Sequence, residues 1–335
     1  MKQIMLHGAD DWRLDDVPDP DPGPRDALVR IAACGICGTD TSYIHMGMTP
    51  GHPIPLGHEM AGTVEWVGSE VTDVAAGDRV IVCPSDAGHG PMGTGGPQGG
   101  LTPLLHVPEA ADGKRLFKVP EGMPLTTAAL AEPVAVGMQS VNQSEAKPGD
   151  KVAVFGCGPI GLFALATLAD RGVTDTVAID LSPARLELAE TVGAAHTLHA
   201  ADDDVWSVLA RIHGTTPFMF GPTPATDVYI EASGADRVIG DVLQHGRVDG
   251  TLVVVALHYR PVPTNYVNLL MKQFTVRGSM EYPERFEDAI ELLARRNLSH
   301  LITHTRPLEG FGDGLAVLEG SKDCGKVMIT IGDDR

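Results

Sequence analysis

Residues 151–180 read KVAVFGCGPIGLFALATLADRGVTDTVAID, and this stretch decides the fold. Lys151–Phe155 is an apolar strand run. It ends in Gly156-Cys157-Gly158-Pro159-Ile160-Gly161, a G-x-G-x-x-G turn that opens a helical stretch, Pro159–Arg171. A second strand, Thr176–Ile179, follows and ends at Asp180, at the spacing expected of the acidic residue in a dinucleotide fingerprint. In that context the glycines let the backbone approach a pyrophosphate, which the helix N-terminus then stabilises. A carboxylate at Asp180 can accept from both ribose hydroxyls and would repel a 2′-phosphate, which favours NAD over NADP. Arg185, one turn into the next helix, is expected to flank the adenine ribose.

Working outward, Ser182-Pro183 reads as N-cap and first residue of a helix ending near Gly193. Strands are expected at Ala195–His199, Asp227–Ala232, Thr251–Leu257 and Phe274–Ser279, with helices at Val205–His213 and Arg237–His245. Apolar strands alternating with helices imply a parallel sheet covered on both faces, so this half is an α/β, doubly wound (Rossmann) dinucleotide-binding domain. One helix, Pro283–Arg296, and a terminal strand, Lys326–Ile331, remain after it. That tail is too short to fold alone and is expected to return to the N-terminal part. The domains are thus 1–143 with 279–335, and 144–278.

The N-terminal part is mostly β, with strand-like runs at Ala27–Ala33, Gly62–Val67 and Asp78–Cys83. Residues 88–100, GHGPMGTGGPQGG, are so rich in glycine that they are expected to form an exposed loop. The 335 residues carry a formal net charge of −19, which disfavours phosphate backbones and anionic lipid surfaces as partners. No apolar run reaches the length of a membrane helix, and the N-terminus lacks a signal peptide's apolar core. Five cysteines are too few for a disulfide framework, so a cytoplasmic protein with reduced thiols is expected.

Cys34-x-x-Cys37-Gly-Thr39-Asp40, Gly57-His58-Glu59 and Glu132-Pro133 supply a thiolate, an imidazole and carboxylates, which suit zinc. The ordered set GICGTD, GHEMAGTVEWVG, GDRV, AEPVAVG, GCGPIG and GKVMI resembles the zinc-dependent medium-chain dehydrogenases over essentially the whole chain. The branch it resembles is that of the polyol (sorbitol-like), butanediol and threonine dehydrogenases, since classical alcohol dehydrogenases carry Cys where this chain has Glu132. The resemblance implies a GroES-like catalytic domain beside the Rossmann domain, and NAD-linked oxidation of a secondary alcohol. It implies Cys37 and His58 as zinc ligands, with Glu59 as a ligand or exchanging with water, and Glu132 as a ligand or holding the zinc-bound water. Asp40 would orient His58. Thr39 would bond the substrate hydroxyl and pass its proton outward, and Cys34 would be a packed thiol. A homodimer or homotetramer is implied, and the Thr251–Leu257 strand is expected at its interface.

Three departures from the family qualify this. The lobe holding a second, structural zinc is shortened to the glycine-rich loop, with Cys83 alone nearby, so one zinc per chain is expected. Ser42, followed by Tyr43, stands where many relatives carry a proton-relay His. Glu281 falls near a sorbitol-type Arg, which suggests either an amine-bearing substrate or a neutral loop change. His45, His89, His106, His258 and His304 are assigned to loop or strand-end packing, although His45 and His258 could approach the cleft in this fold. Rival readings are a zinc-independent quinone or enone reductase and a non-catalytic dinucleotide-binding protein.

Overall fold

The structure, a computed structural model, describes residues 1–85, 90–321 and 323–332; Gly88 and His89 of the glycine-rich stretch lie outside the described residues. The chain divides into two compact units, Met1–Glu132 with Phe286–Arg335, and Pro133–Arg285. The first unit runs β1 (Lys2–Gly8), β2 (Asp11–Asp16), β3 (Ala27–Ile36), α1 (Gly38–Met46), β4 (Ile54–Pro55), β5 (Glu59–Val67), β6 (Arg79–Val82), β7 (Leu104–Val107), β8 (Leu116–Lys118) and α2 (Leu125–Ala128). The next helix, α3 (Ala131–Ser144), begins at its last residues and leads onward.

The second unit continues with β9 (Lys151–Phe155), α4 (Pro159–Asp170), β10 (Asp175–Asp180), α5 (Pro183–Val192), β11 (His196–His199) and α6 (Val205–His213). A short hairpin, β12 (Thr215–Thr216) and β13 (Thr223–Pro224), precedes β14 (Val228–Glu231), α7 (Asp236–His245), β15 (Thr251–Val254), α8 (Tyr266–Lys272) and β16 (Thr275–Gly278). The first unit is then completed by α9 (Glu287–Arg295), β17 (Ile302–Pro307), α10 (Phe311–Gly320) and β18 (Lys326–Thr330).

In the second unit six parallel strands lie in the order β11-β10-β9-β14-β15-β16. Renumbered in chain order this is 3-2-1-4-5-6, the doubly wound arrangement whose switch point falls between β9 and β14. Local chemistry agrees with it. Ser182 caps α5 by accepting from the Arg185 N–H at 3.2 Å, Pro183 takes the first helical position, and Gly193 closes the helix at φ 112°. Ala153, Val177, Tyr229, Leu252 and Phe274 form its buried core with Leu209, Val242 and Leu243 of α6 and α7.

In the first unit the main sheet runs β17-β18-β3-β5-β6-β8, with β7 also paired to β3; β2-β1-β4 forms a second, smaller sheet. The core gathers Ile4, Val29, Ile31, Ile36, Val80, Phe311, Val327 and Ile329. From Ala32 to Ile36 every residue of β3 is buried, because β5 and β18 flank this end of the strand.

Four expectations are corrected. The tail beyond Gly278 holds α9, β17, α10 and β18 rather than one helix and one strand, since α10 carries three glycines and β17 is mostly polar. Thr251–Leu257 is a strand only over Thr251–Val254, and it is hydrogen-bonded on both sides by β14 and β16; it has no edge to offer a partner, whereas β16 does. His45 lies on a helix, α1, and His106 and His304 lie within β7 and β17. The glycine-rich run is not an exposed loop where it is described: Met92, Gly93, Gly96, Gly99 and Gly100 are buried. Its glycines allow close packing instead. A Cβ on Gly95 would sit 2.6 Å from the Tyr43 hydroxyl, and one on Gly100 would stand 3.2 Å from Cys34 Sγ and collide with Met60.

Candidate functional site

Cys37 follows β3 directly and forms the N-cap of α1. Asp40, at the third position of that helix, accepts from the Cys37 N–H at 2.8 Å and is wholly buried. Its other oxygen takes a hydrogen bond from Thr94, whose hydroxyl in turn accepts from the Gly57 N–H at 2.9 Å. Asp40 Oδ1 also lies 3.6 Å from His58 Nδ1. Burial alone would raise the Asp40 carboxyl, but His58, Thr94 and the Cys37 N–H outweigh it and hold it low. Burial likewise opposes charge on His58, yet Asp40 and Cys37 hold this imidazole well above its ordinary value.

Glu59 opens β5 opposite Gly35 of β3 and is wholly buried. One carboxylate oxygen pairs with the ammonium of Lys326 on β18, which also donates to the Ile36 carbonyl at 2.8 Å. Lys326 is 2% exposed. Burial would discharge it, but Glu59, with Cys37 and Glu132 adding to the field, raises it instead. The other oxygen, Glu59 Oε2, is buried without a hydrogen-bond partner. Gly35 makes room for this carboxylate, since a Cβ there would overlap Glu59 Oε2 and approach Lys326 Cε to 2.8 Å.

Cys37, His58 and Glu59 offer ligand atoms within 4.8 Å of one another, the one such trio among the described residues. A thiolate, an imidazole and an orphaned carboxylate oxygen gathered in a buried place form a donor set that fits zinc. Glu132, in the first turn of α3, is buried but stands outside that trio. Thr39 Oγ1 lies 3.7 Å from Cys37 Sγ, so its hydroxyl borders the trio. Ser42 donates its hydroxyl proton to the Gly38 carbonyl at 3.0 Å. His45 is held between Asp10 and Glu319, each at 2.7 Å. Cys34 is fully buried, and burial pushes its thiol up. Cys83 is buried with its Sγ 3.3 Å from the Ser85 carbonyl. Glu281 is exposed on a bend with φ 59°.

In the second unit Gly156 adopts φ 93°, and a Cβ there would lie 2.6 Å from Ser233 Cα. Gly161 lies so close to the Gly156 carbonyl that no side chain fits. Gly156 and Cys157 are buried, while Gly158, Pro159 and Ile160 are partly exposed at the start of α4. Asp180 Oδ2 accepts from the Cys157 N–H at 2.6 Å and Oδ1 from the Ser182 N–H at 2.9 Å, so the acidic residue is braced against the turn. The Arg185 backbone N–H serves the Ser182 cap.

Sequence reasoning passed over Thr94, Lys326 and Glu231. Thr94 is hidden in a low-complexity run. Lys326 and Glu231 did carry a signal, as single charges at the edge of apolar strand runs. Glu231 is wholly buried, and one of its oxygens accepts from Ser233 N, Ser233 Oγ and Gly234 N at 2.6–2.8 Å.

Comparison with known proteins identifies relatives of both units. The family model for the alcohol dehydrogenase GroES-like domain matches residues 23–121, and that for zinc-binding dehydrogenases matches residues 159–295. The (R,R)-butanediol dehydrogenase of Bacillus subtilis (strain 168) is 31% identical over 356 residues, covering 98% of this chain and 99% of that protein. The crystal structure of 2R,3R-butanediol dehydrogenase from Bacillus subtilis has a TM-score of 0.86 at 29% identity, covering 98% of this chain and 99% of that one. Sorbitol dehydrogenase of Gallus gallus is 31% identical over 324 residues, 91% of this chain and 90% of that protein. A zinc-binding dehydrogenase from Sinorhizobium meliloti 1021, solved bound to NADP, has a TM-score of 0.84 at 28% identity over 98% of each chain.

Fold and site together define an oxidoreductase that works with zinc and a nicotinamide dinucleotide. The chain belongs to the zinc-dependent medium-chain dehydrogenase family, in the branch of the butanediol and sorbitol dehydrogenases.

Proposed function

We propose that this enzyme is an NAD-dependent dehydrogenase of a secondary alcohol, within the class of polyols, vicinal diols and amino alcohols. The observation that carries the reading is the convergence of Cys37, His58 and the orphaned oxygen of Glu59. Cys37 and His58 would hold one zinc per chain, with Glu59 as third ligand and Glu132 as a ligand or the partner of a bound water; no structural zinc is part of this reading. Bound there, zinc supplies Lewis acidity toward a hydroxyl, and the nicotinamide supplies the hydride acceptor.

The chain's own groups do the rest. Asp40, fixed by Thr94 and the Cys37 N–H, orients His58. Lys326 holds one oxygen of Glu59 and leaves the other for the metal. Thr39 takes the substrate hydroxyl proton. Ser42 would help pass that proton onward once its hydroxyl leaves the Gly38 carbonyl. Gly156, Gly158, Pro159, Ile160 and Gly161 admit the pyrophosphate at the start of α4. Asp180 receives the adenine ribose, flanked by Arg185, and disfavours a 2′-phosphate.

Catalysis is assigned to domain 1–143 with 279–335, and cofactor binding to domain 144–278. No helix among the described residues is long and apolar enough to cross a membrane, and the cytoplasm, with its reduced thiols, is the proposed location. A homodimer or homotetramer would pair through the β16 edge, where Val276 is exposed.

The test is elemental analysis of the purified protein followed by a screen of NAD reduction. About one zinc per chain, with turnover on a diol, polyol or amino alcohol, supports the proposal. Zinc-free protein that still binds NADH after being offered zinc overturns it.

A further inference from the structure

The second unit contains a cavity of about 450 Å³, within the range of small-molecule sites. Its walls come from α6, the β12–β13 hairpin with its 217–222 turn, and the C-terminal turns of α7 and α8. No lining residue belongs to the glycine turn, to Asp180 or to the Cys37–His58–Glu59 trio. Four rings, those of Trp206, Phe218, Phe220 and His245, share the lining with polar side chains such as Ser207, Thr223, Gln244 and Asn268. Trp206 stacks on His245 with ring centroids 5.0 Å apart, and Phe218 meets Phe220 edge-on at 5.6 Å.

One lysine ammonium sits among these rings and polar groups. Lys272 is 2% exposed, with its Nζ 2.5 Å from the Gln244 carbonyl and 5.3 Å from the centroid of the Phe218 ring. No carboxylate among the described residues pairs with it, and burial lowers it to about 8. The carbonyl at the end of α7 offers only the partial negative charge of a helix C-terminus. A buried ammonium is satisfied by a full anion, and the aromatic walls accept an apolar body beside it.

We propose that this cavity binds a small monocarboxylate with a flat apolar body, its carboxylate on Lys272 and its body against Trp206, Phe218 and Phe220. The alternative is that Lys272 serves only to cap α7. The two differ in what they ask of the ligand.

The experiment uses the intact zinc-loaded protein, with phenylacetate and its neutral counterpart phenylacetamide as probes. Binding is followed by saturation-transfer NMR and by Trp206 fluorescence. Phenylacetate should bind saturably, and the amide at least about tenfold more weakly, as expected for loss of a charge-assisted hydrogen bond. Lys272→Met should cost about tenfold in phenylacetate affinity, and Phe220→Ser a few-fold, with NADH binding unchanged in both. Phe220 is 76% exposed, so this second variant keeps the test available if Lys272→Met fails to fold. Absence of binding, equal binding of the amide, or wild-type affinity in both variants would overturn the proposal. The last result would place phenylacetate outside this cavity.

Discussion

His258 Nε2 lies 2.9 Å from Glu231 Oε2, while the other oxygen of the same carboxylate gathers Ser233 and Gly234. Ser233 is also the residue against which Gly156 packs. Three loops at the carboxyl ends of β9, β14 and β15 are thus joined through one buried carboxylate, at the place where doubly wound sheets bind their ligands. His258 Nδ1 also faces Asp236 of α7 at 3.4 Å.

Burial opposes charge on His258, but Glu231 and Asp236 outweigh it and raise its imidazole above the ordinary value of about 6.5. A group that binds its proton more tightly when folded stabilises the fold fully below its unfolded value, and the gain fades as pH rises through the folded value. The melting temperature of the native protein minus that of His258→Gln should therefore be largest at acid pH and shrink above neutrality. A difference that grows with pH would contradict this. The same variant should bind NADH a few-fold more weakly, by loosening the loops.

Asp180 braces the glycine turn, one oxygen accepting from the Cys157 N–H and the other from the Ser182 N–H, and the proposed function also gives it the adenine ribose. Asp180→Asn keeps one of the two acceptors and drops the charge expected to repel a 2′-phosphate. The proposed preference for NAD over NADP, measured as the ratio of kcat/KM, should fall about tenfold or more. An unchanged ratio would assign Asp180 to bracing alone.

Lys326 and Glu59 form a buried pair in which neither can be removed singly without stranding the other. Lys326→Met should destabilise the first unit by about 3 kcal/mol, read by denaturant unfolding of the metal-stripped protein. Lys326→Arg, which keeps the charge, should recover part of this loss if its larger head is accommodated.

Gly93 comes closer to His58 than any side chain allows, and its φ is 81°. Gly93→Ala should push His58 from its partners and weaken zinc retention about tenfold in chelator competition, at the low end of what displaced supporting groups cost. The second unit's NADH binding should not change.

The doubly wound half was legible because its strands are apolar and its turns carry Gly and Ser-Pro, although the short helix α8 gave no signal that was read. The α1 helix was not: Gly38–Met46 buries Asp40 and Ile44 and has no apolar stripe to mark it. The chemistry-bearing residues Cys37, His58 and Glu59 could be picked out by type and by family resemblance. Their supports were hidden, because Thr94 and Lys326 meet them only through long-range pairing that no local pattern encodes. The glycine-rich run misled for a related reason, since the absence of side chains permits close contact as readily as exposure.

Lys326 reaches Glu59 across 267 residues of sequence. During synthesis, the segment bearing Cys37, His58 and Glu59 leaves the ribosome long before β18, while domains generally fold in the order they emerge. The buried carboxylate must therefore wait for its counter-charge until the whole dinucleotide-binding unit has been made. A growing chain that captured metal early would do so with Glu59 unrestrained, so this carboxylate takes its final place only once β18 has been made.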